Sequence, residues 1–236
     1  MSLPLSRLLQ LSLLLCLVSI MGFFVLTYFA IQSYPGGTIA DRTTEGYQFY
    51  MNYFSDLGRQ RAWNGAANAI SNGYFETAML IASLGIGLFC LTLPVCLRFV
   101  PAKTWAVAGS FLGFLAAFAY FGISQNPLDV NYGMHTLYVR LGFIGFWLSS
   151  CCNVVALYRE PSYPRRYVVC YLIFLLILLV QIYIMLFPPR AWTSPEALHL
   201  QVTAQKAVVY SQLFCLGVQA IGAFRYLSYQ QNTDLP

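Results

Sequence analysis

The run "YVVCYLIFLLILLVQIYIMLF", residues 167–187, leaves this chain little freedom in what it can become, because Gln181 is its only strongly polar side chain. At 1.5 Å per residue a helix of that length reaches about 30 Å, the thickness of a bilayer's hydrocarbon core. No water is present there to take up unpaired N–H and C=O groups, so a spanning segment must satisfy its own backbone, and a helix does so. Five further apolar stretches obey the same logic: 8–31, 71–97, 105–124, 135–157 and 202–224. Composition agrees, since 58% of the 236 residues are hydrophobic and 9% charged, against about a quarter charged in a soluble domain. The expectation is an all-α polytopic membrane protein, a six-helix transmembrane bundle forming one integral domain over residues 1–236.

Arg7 followed by an apolar run has the look of a cleaved leader. The run exceeds the about 7–15 residues of such a leader, and "FAIQ" (29–32) makes a poor small-residue cleavage site, so a retained span is expected. Six spans place both termini on one face. Arg7, Arg98, Lys103, Arg159, Arg165, Arg166 and Arg225 share that face. Arg42, Arg59, Arg61 and Arg190 lie opposite, in longer connections, with Arg140 and Lys206 just inside spans near them. The basic bias puts the termini in the cytoplasm and the protein in the cell membrane. Basic residues scattered at segment ends point to membrane lipids as partners and not to nucleic acid. All seven cysteines fall within spans without CxxC spacing, and read as small apolar residues.

The long connection, 32–70, opens with the turn "YPGGT" (34–38). In "EGYQFYMNYFSDLG" (45–58), Tyr47, Tyr50, Met51, Phe54 and Leu57 recur at helical spacing. That pattern predicts a short amphipathic helix in the interface, ended by Gly58. Further on, Asn68, Asn72 and Glu76 step by four along one helical face.

Unusual polar residues gather on this same side: Asp56, Glu76, Asp129, His135, Arg140, His199 and Lys206. Both histidines of the chain are among them. Ionisable groups at membrane depth face protein or water, so the set predicts an outer polar cavity for a lipid headgroup or small amphiphile. Arg140 and Lys206 would hold a phosphate or carboxylate there, with no cofactor required. A second reading is a membrane-embedded hydrolase. Asp56, Asp129, His135 and His199 would then be zinc ligands, or Ser55 would act as a nucleophile beside a histidine. A third is a structural or assembly protein without a small ligand. Ser194 is read as the cap of the last helix, with Pro195 at its first position. Gln205, Gln212 and Gln219 form a heptad series, either lining a ligand path or joining helices.

At these residues the chain resembles domain-of-unknown-function family 998, a group of prokaryotic multi-span membrane proteins. Its "(I/F)S(D/E)LG" element reads Phe54-Ser55-Asp56-Leu57-Gly58 here, its second-span entry Asn72-Gly73-Tyr74-Phe75, and its Pro-x-Asp turn Pro127-Leu128-Asp129 before His135-Thr136-Leu137. A looser likeness runs to a eukaryotic six-span group that includes the DRAM proteins. The resemblance implies an integral membrane bundle and supports the outer site without naming its chemistry. Zinc-dependent intramembrane hydrolases such as the alkaline ceramidases and adiponectin receptors have similar Ser/Asp/His sets. They use three histidines including an HxxxH pair, whereas Thr203 stands four after His199 here.

Overall fold

The computed structural model describes residues 3–188 and 194–233; Arg190 and Asp234 lie outside them. Six long helices form: α1 (Leu3–Gln32), α2 (Ala69–Cys96), α3 (Val100–Gln125), α4 (Tyr132–Arg159), α5 (Arg165–Leu186) and α6 (Pro195–Thr233). All six are long and apolar enough to cross a membrane, so this is an integral membrane helix bundle. Each helix packs against the next in chain order, α6 returns to α1, and α2 also touches α6 across the ring. Lipid-facing positions are as apolar as the core: Leu8, Leu11 and Val18 on α1, and Ile173, Leu176 and Val180 on α5, are exposed.

Without a hydrophobic difference between lipid and core, small residues decide how closely helices approach. The buried face of α3 is built from them, with Ala102, Ala106, Gly109, Gly113, Ala116 and Ala117 against α2 and α4. Polar side chains supply the rest. Ser110 Oγ donates to the Cys90 carbonyl on α2 (2.6 Å), and Ser149 Oγ to Gly109 on α3 (2.7 Å). The heptad glutamines reach three different partners. Gln205 Oε1 accepts from the Phe54 N–H (2.7 Å), Gln212 Oε1 from the Tyr120 hydroxyl (2.7 Å), and Gln219 Nε2 donates to the Tyr167 carbonyl (2.9 Å). All seven cysteines are free.

The face carrying the two chain ends is locked by an acid. Buried Glu160, just past α4, accepts the Arg98 and Phe99 N–H groups through Oε2 (3.1 and 3.0 Å) and the Tyr226 hydroxyl through Oε1 (2.9 Å). One carboxylate thereby joins the start of α3, the end of α4 and the end of α6.

On the opposite face, residues 33–68 fold into an ordered cap. The expected interfacial helix is shorter than the aromatic spacing suggests: 45–53 run in turns, and only Phe54–Gly58 winds, as a 3-10 turn. The side chain of Asn52 holds 48–52 as a local turn, taking the Gln48 N–H (2.9 Å) while its amide nitrogen is tied to the Gly37 carbonyl. Gly58 ends the winding, but not through a left-handed conformation. Its role is close approach: a Cβ there would sit 2.4 Å from Phe75 Cδ1. Gly58→Ala is therefore expected to destabilise the protein by about 1–3 kcal/mol in thermal unfolding. Combining it with Phe75→Leu should recover part of that loss. Gly37 carries the other constraint, with φ +80 and no room for a Cβ beside the Asn64 backbone.

Candidate functional site

The cap's interior begins at Asn52, which is wholly buried. Its amide nitrogen donates to the Gly37 carbonyl (2.9 Å) and to Asp56 Oδ2 (3.1 Å). Asp56 Oδ2 also accepts the Tyr53 N–H (2.9 Å), closing the 3-10 turn on itself. Asp56 is fully buried, and that burial pushes its carboxyl pKa above the ordinary value. Asn52, Arg59, Trp63 and the Tyr53 N–H oppose the shift by favouring the charged form. The Trp63 indole faces the carboxylate outside good hydrogen-bonding geometry, so Asp56 Oδ1 and Trp63 Nε1 both stay unpaired. Two guanidiniums lie over the Trp63 ring, Arg59 at 3.8 Å and Arg42 at 4.1 Å from its centroid.

Helix α6 holds this cap from beneath. Buried Lys206 donates to the Asn52 carbonyl (2.5 Å), with its ammonium 5.3 Å from the Tyr47 ring and 5.0 Å from the Phe49 ring. Tyr47 donates to the same Asn52 carbonyl (3.2 Å) and to that of Tyr53 (3.1 Å). Gln201 Oε1 accepts the Tyr53 hydroxyl (2.7 Å), and Gln205 takes the Phe54 N–H as above. On the α2 side, buried Asn68 donates to the carbonyls of Leu57 (3.0 Å) and Arg59 (2.8 Å), and Ser71 to that of Leu57 (3.2 Å). The turn before α4 completes the fastening. Asp129 accepts the Gln60 and Arg61 N–H groups (3.1 and 2.9 Å), and buried His135 pairs Nδ1 with the Asn126 carbonyl (2.8 Å).

Sequence reasoning thus brought Asp56, Asp129, His135 and Lys206 to one face; the structure joins Asp56, Asp129 and Lys206 through the cap's backbone, while His135 fastens the turn between α3 and α4. Others stand apart. His199 is exposed and stacks on Tyr50 (5.5 Å between ring centroids), and Arg140 is exposed on α4. Arg140 and Lys206 do not form the anticipated anion clamp, because Lys206 is turned inward to Asn52. Glu76 is half-buried on α2, with no hydrogen bond or ion pair among the described residues. Ser194 precedes α6 as expected, yet its hydroxyl donates to the Glu196 carboxylate instead of capping backbone N–H groups. Among the described residues no three His, Cys, Asp or Glu side chains are grouped to hold a metal ion.

Besides a wider groove between α5 and α6, beside Cys170 and Cys215, a space open to a ligand lies under the cap, and it is apolar. Phe23 (α1), Phe75, Met79, Ala82 and Ile86 (α2), Tyr120 and Ile123 (α3), Val139 and Phe143 (α4) and Val209 and Leu213 (α6) form its walls. Phe54 and Ser55 of the 3-10 turn form the roof, with Gln205 and Gln212 alongside. With its open mouth counted it encloses ≈ 580 Å³ of empty space. No residue of α5 lines it. Sequence reasoning missed this cavity, as it missed the buried Asn52 and Trp63; the phenylalanines of "YFSDLG" and "NGYF" were its visible signal.

No family model, curated protein or solved structure matches the chain.

Proposed function

We propose that this membrane protein binds the apolar portion of a lipid or small amphiphile in the cavity beneath the cap. The cavity itself carries the reading: a half-enclosed apolar space, walled by five helices and roofed by Phe54 and Ser55. Ligand sites are concave, mostly apolar and marked by a few placed polar groups. The polar residues of the outer face then serve to hold the roof over the ligand, and are not its direct ligands. The basic bias of the opposite face supports an orientation with both termini in the cytoplasm and the cap on the far side of the cell membrane.

The test is photolabelling in nanodiscs with a lipid that carries a diazirine on its acyl chain. Labelled peptides should map to Phe75–Ile86 and Val209–Leu213. Ala82→Trp, which fills the space, should abolish that label. Leu84→Trp, on the exposed side of the same helix, should leave it intact. Equal labelling of wild type and Ala82→Trp would sink the reading.

A further inference from the structure

Two of the cavity's few polar groups share one chemical character. Gln205 spends its amide oxygen on the Phe54 N–H, a contact that only an acceptor can make, so its other amide atom must be the NH2 group. Gln212 meets the Tyr120 hydroxyl at 2.7 Å, a group able to donate or accept, so either of its amide atoms suits that contact. Among the described residues neither the Gln205 amide nitrogen nor the Ser55 hydroxyl has a hydrogen-bond partner. Ser55 and Gln212 are more than nine-tenths buried, and both line the cavity. Two donors, the Gln205 NH2 group and the Ser55 hydroxyl, therefore border an otherwise apolar space. No cation and no carboxylate is among the lining residues.

From this we infer the class of ligand: an uncharged lipid whose polar group accepts hydrogen bonds, an ester carbonyl in particular, seated against Ser55, Gln205 and Gln212 with its chain along Met79, Ile86 and Phe143. The inference rests on the cavity being a lipid site and adds which lipid. A phosphate would enter without a cationic partner, since Lys206 is committed to the Asn52 carbonyl. A free hydroxyl or amine would bring further donors to a site that already has too many. An ester carbonyl offers two lone pairs and no charge, and answers the surplus.

Two probes separate this claim from the one beneath it: a diazirine-bearing long-chain fatty-acid methyl ester, and its alkyl methyl ether analogue, which has the same chain but no carbonyl. Wild-type protein should take the ester probe about tenfold more tightly, the worth of one or two hydrogen bonds. Ser55→Ala removes a hydroxyl that holds nothing else in the protein, and should shrink the preference without altering thermal stability. Tyr120→Phe combined with Gln212→Leu removes both ends of one bond together, which keeps the fold intact, and should shrink it further. Binding of the ether probe should fall less than that of the ester probe in both variants, so that the ester-to-ether ratio drops. Equal binding of ester and ether by wild type, both blocked by Ala82→Trp, would overturn the ester assignment and leave the cavity a chain-binding site. Neither probe exceeding the Ala82→Trp background would overturn both.

Discussion

Asp56→Ala unties the cap while the six helices stay folded. In the native protein Oδ2 accepts two N–H groups, from the Asn52 side chain and the Tyr53 backbone. Truncation leaves the buried Tyr53 N–H without its acceptor and takes away one of the two acceptors of the Asn52 amide. It also removes the negative charge that acts on Arg59 and Lys206. Removing one member of a buried charged network costs about 3–5 kcal/mol. The loss falls on 33–68, because the helices hold one another through contacts that Asp56 does not make. Trypsin should cut at Arg42, Arg59 or Arg61 in the variant and spare them in wild type, with equal helical circular dichroism. Asp56→Asn keeps one carbonyl oxygen for the Tyr53 N–H and should fall between the two. A variant cap that resists trypsin like wild type would show that this carboxylate does not hold it.

The same carboxylate gives the cap an inverted response to acid. Burial raises the Asp56 pKa in the folded protein above its ordinary value of 3.8. The folded cap then holds the proton more tightly than the unfolded chain does. Stability is consequently full below about pH 4, declines as pH rises through the folded pKa, and levels off above it. Paired surface carboxylates behave in the opposite way, losing stability as pH falls. Trypsin susceptibility of 33–68, or amide exchange at Tyr53, should increase with pH over that window in wild type. In Asp56→Asn the slope should vanish; a slope that persists there would assign it to another group.

How far all this was readable in advance depends on which interactions are local. The six spans were legible because length and hydropathy fix them residue by residue, and each observed helix contains or closely matches its expected stretch. Helix rotation was not legible. In a soluble helix the polar stripe points outward, but here Leu84 faces outward and Ala82 the cavity, and both are apolar. The face on which Asp56, Asp129, His135 and Lys206 meet followed from counting spans. What α6 does there did not, since it turns on backbone groups more than a hundred residues distant in the chain: Lys206 meets the carbonyl of Asn52, and Gln205 the N–H of Phe54. An asparagine in a loop is ordinarily a turn residue, and nothing local to "YMNYF" shows that Asn52 is wholly buried. The glutamine heptad was readable as helix glue by its spacing. That it also leaves donors facing a cavity depends on which amide oxygens find partners.

Glu160→Ala should be the most damaging single change on the other face. Here three donors converge on one buried carboxylate: the N–H groups of Arg98 and Phe99, at the start of α3, and the Tyr226 hydroxyl of α6. Helix N-termini carry unsatisfied N–H groups and partial positive charge, so a carboxylate is the acceptor such an end favours most. Each hydrogen bond to a charged acceptor contributes about 1.5–3 kcal/mol, and alanine deletes all three while stranding the donors. The expected cost is about 3–5 kcal/mol in unfolding of the detergent-solubilised protein. Glu160→Gln retains one acceptor oxygen, and Tyr226→Phe removes only the third bond, so both should cost less and in that order. Because the cap lies at the far end of the bundle, Glu160→Ala should leave trypsin resistance of 33–68 unchanged at temperatures below its lowered midpoint. Asp56→Ala should do the reverse. If instead each variant loosens both ends together, the bundle unfolds as one cooperative unit, and the two carboxylates are not separate fastenings.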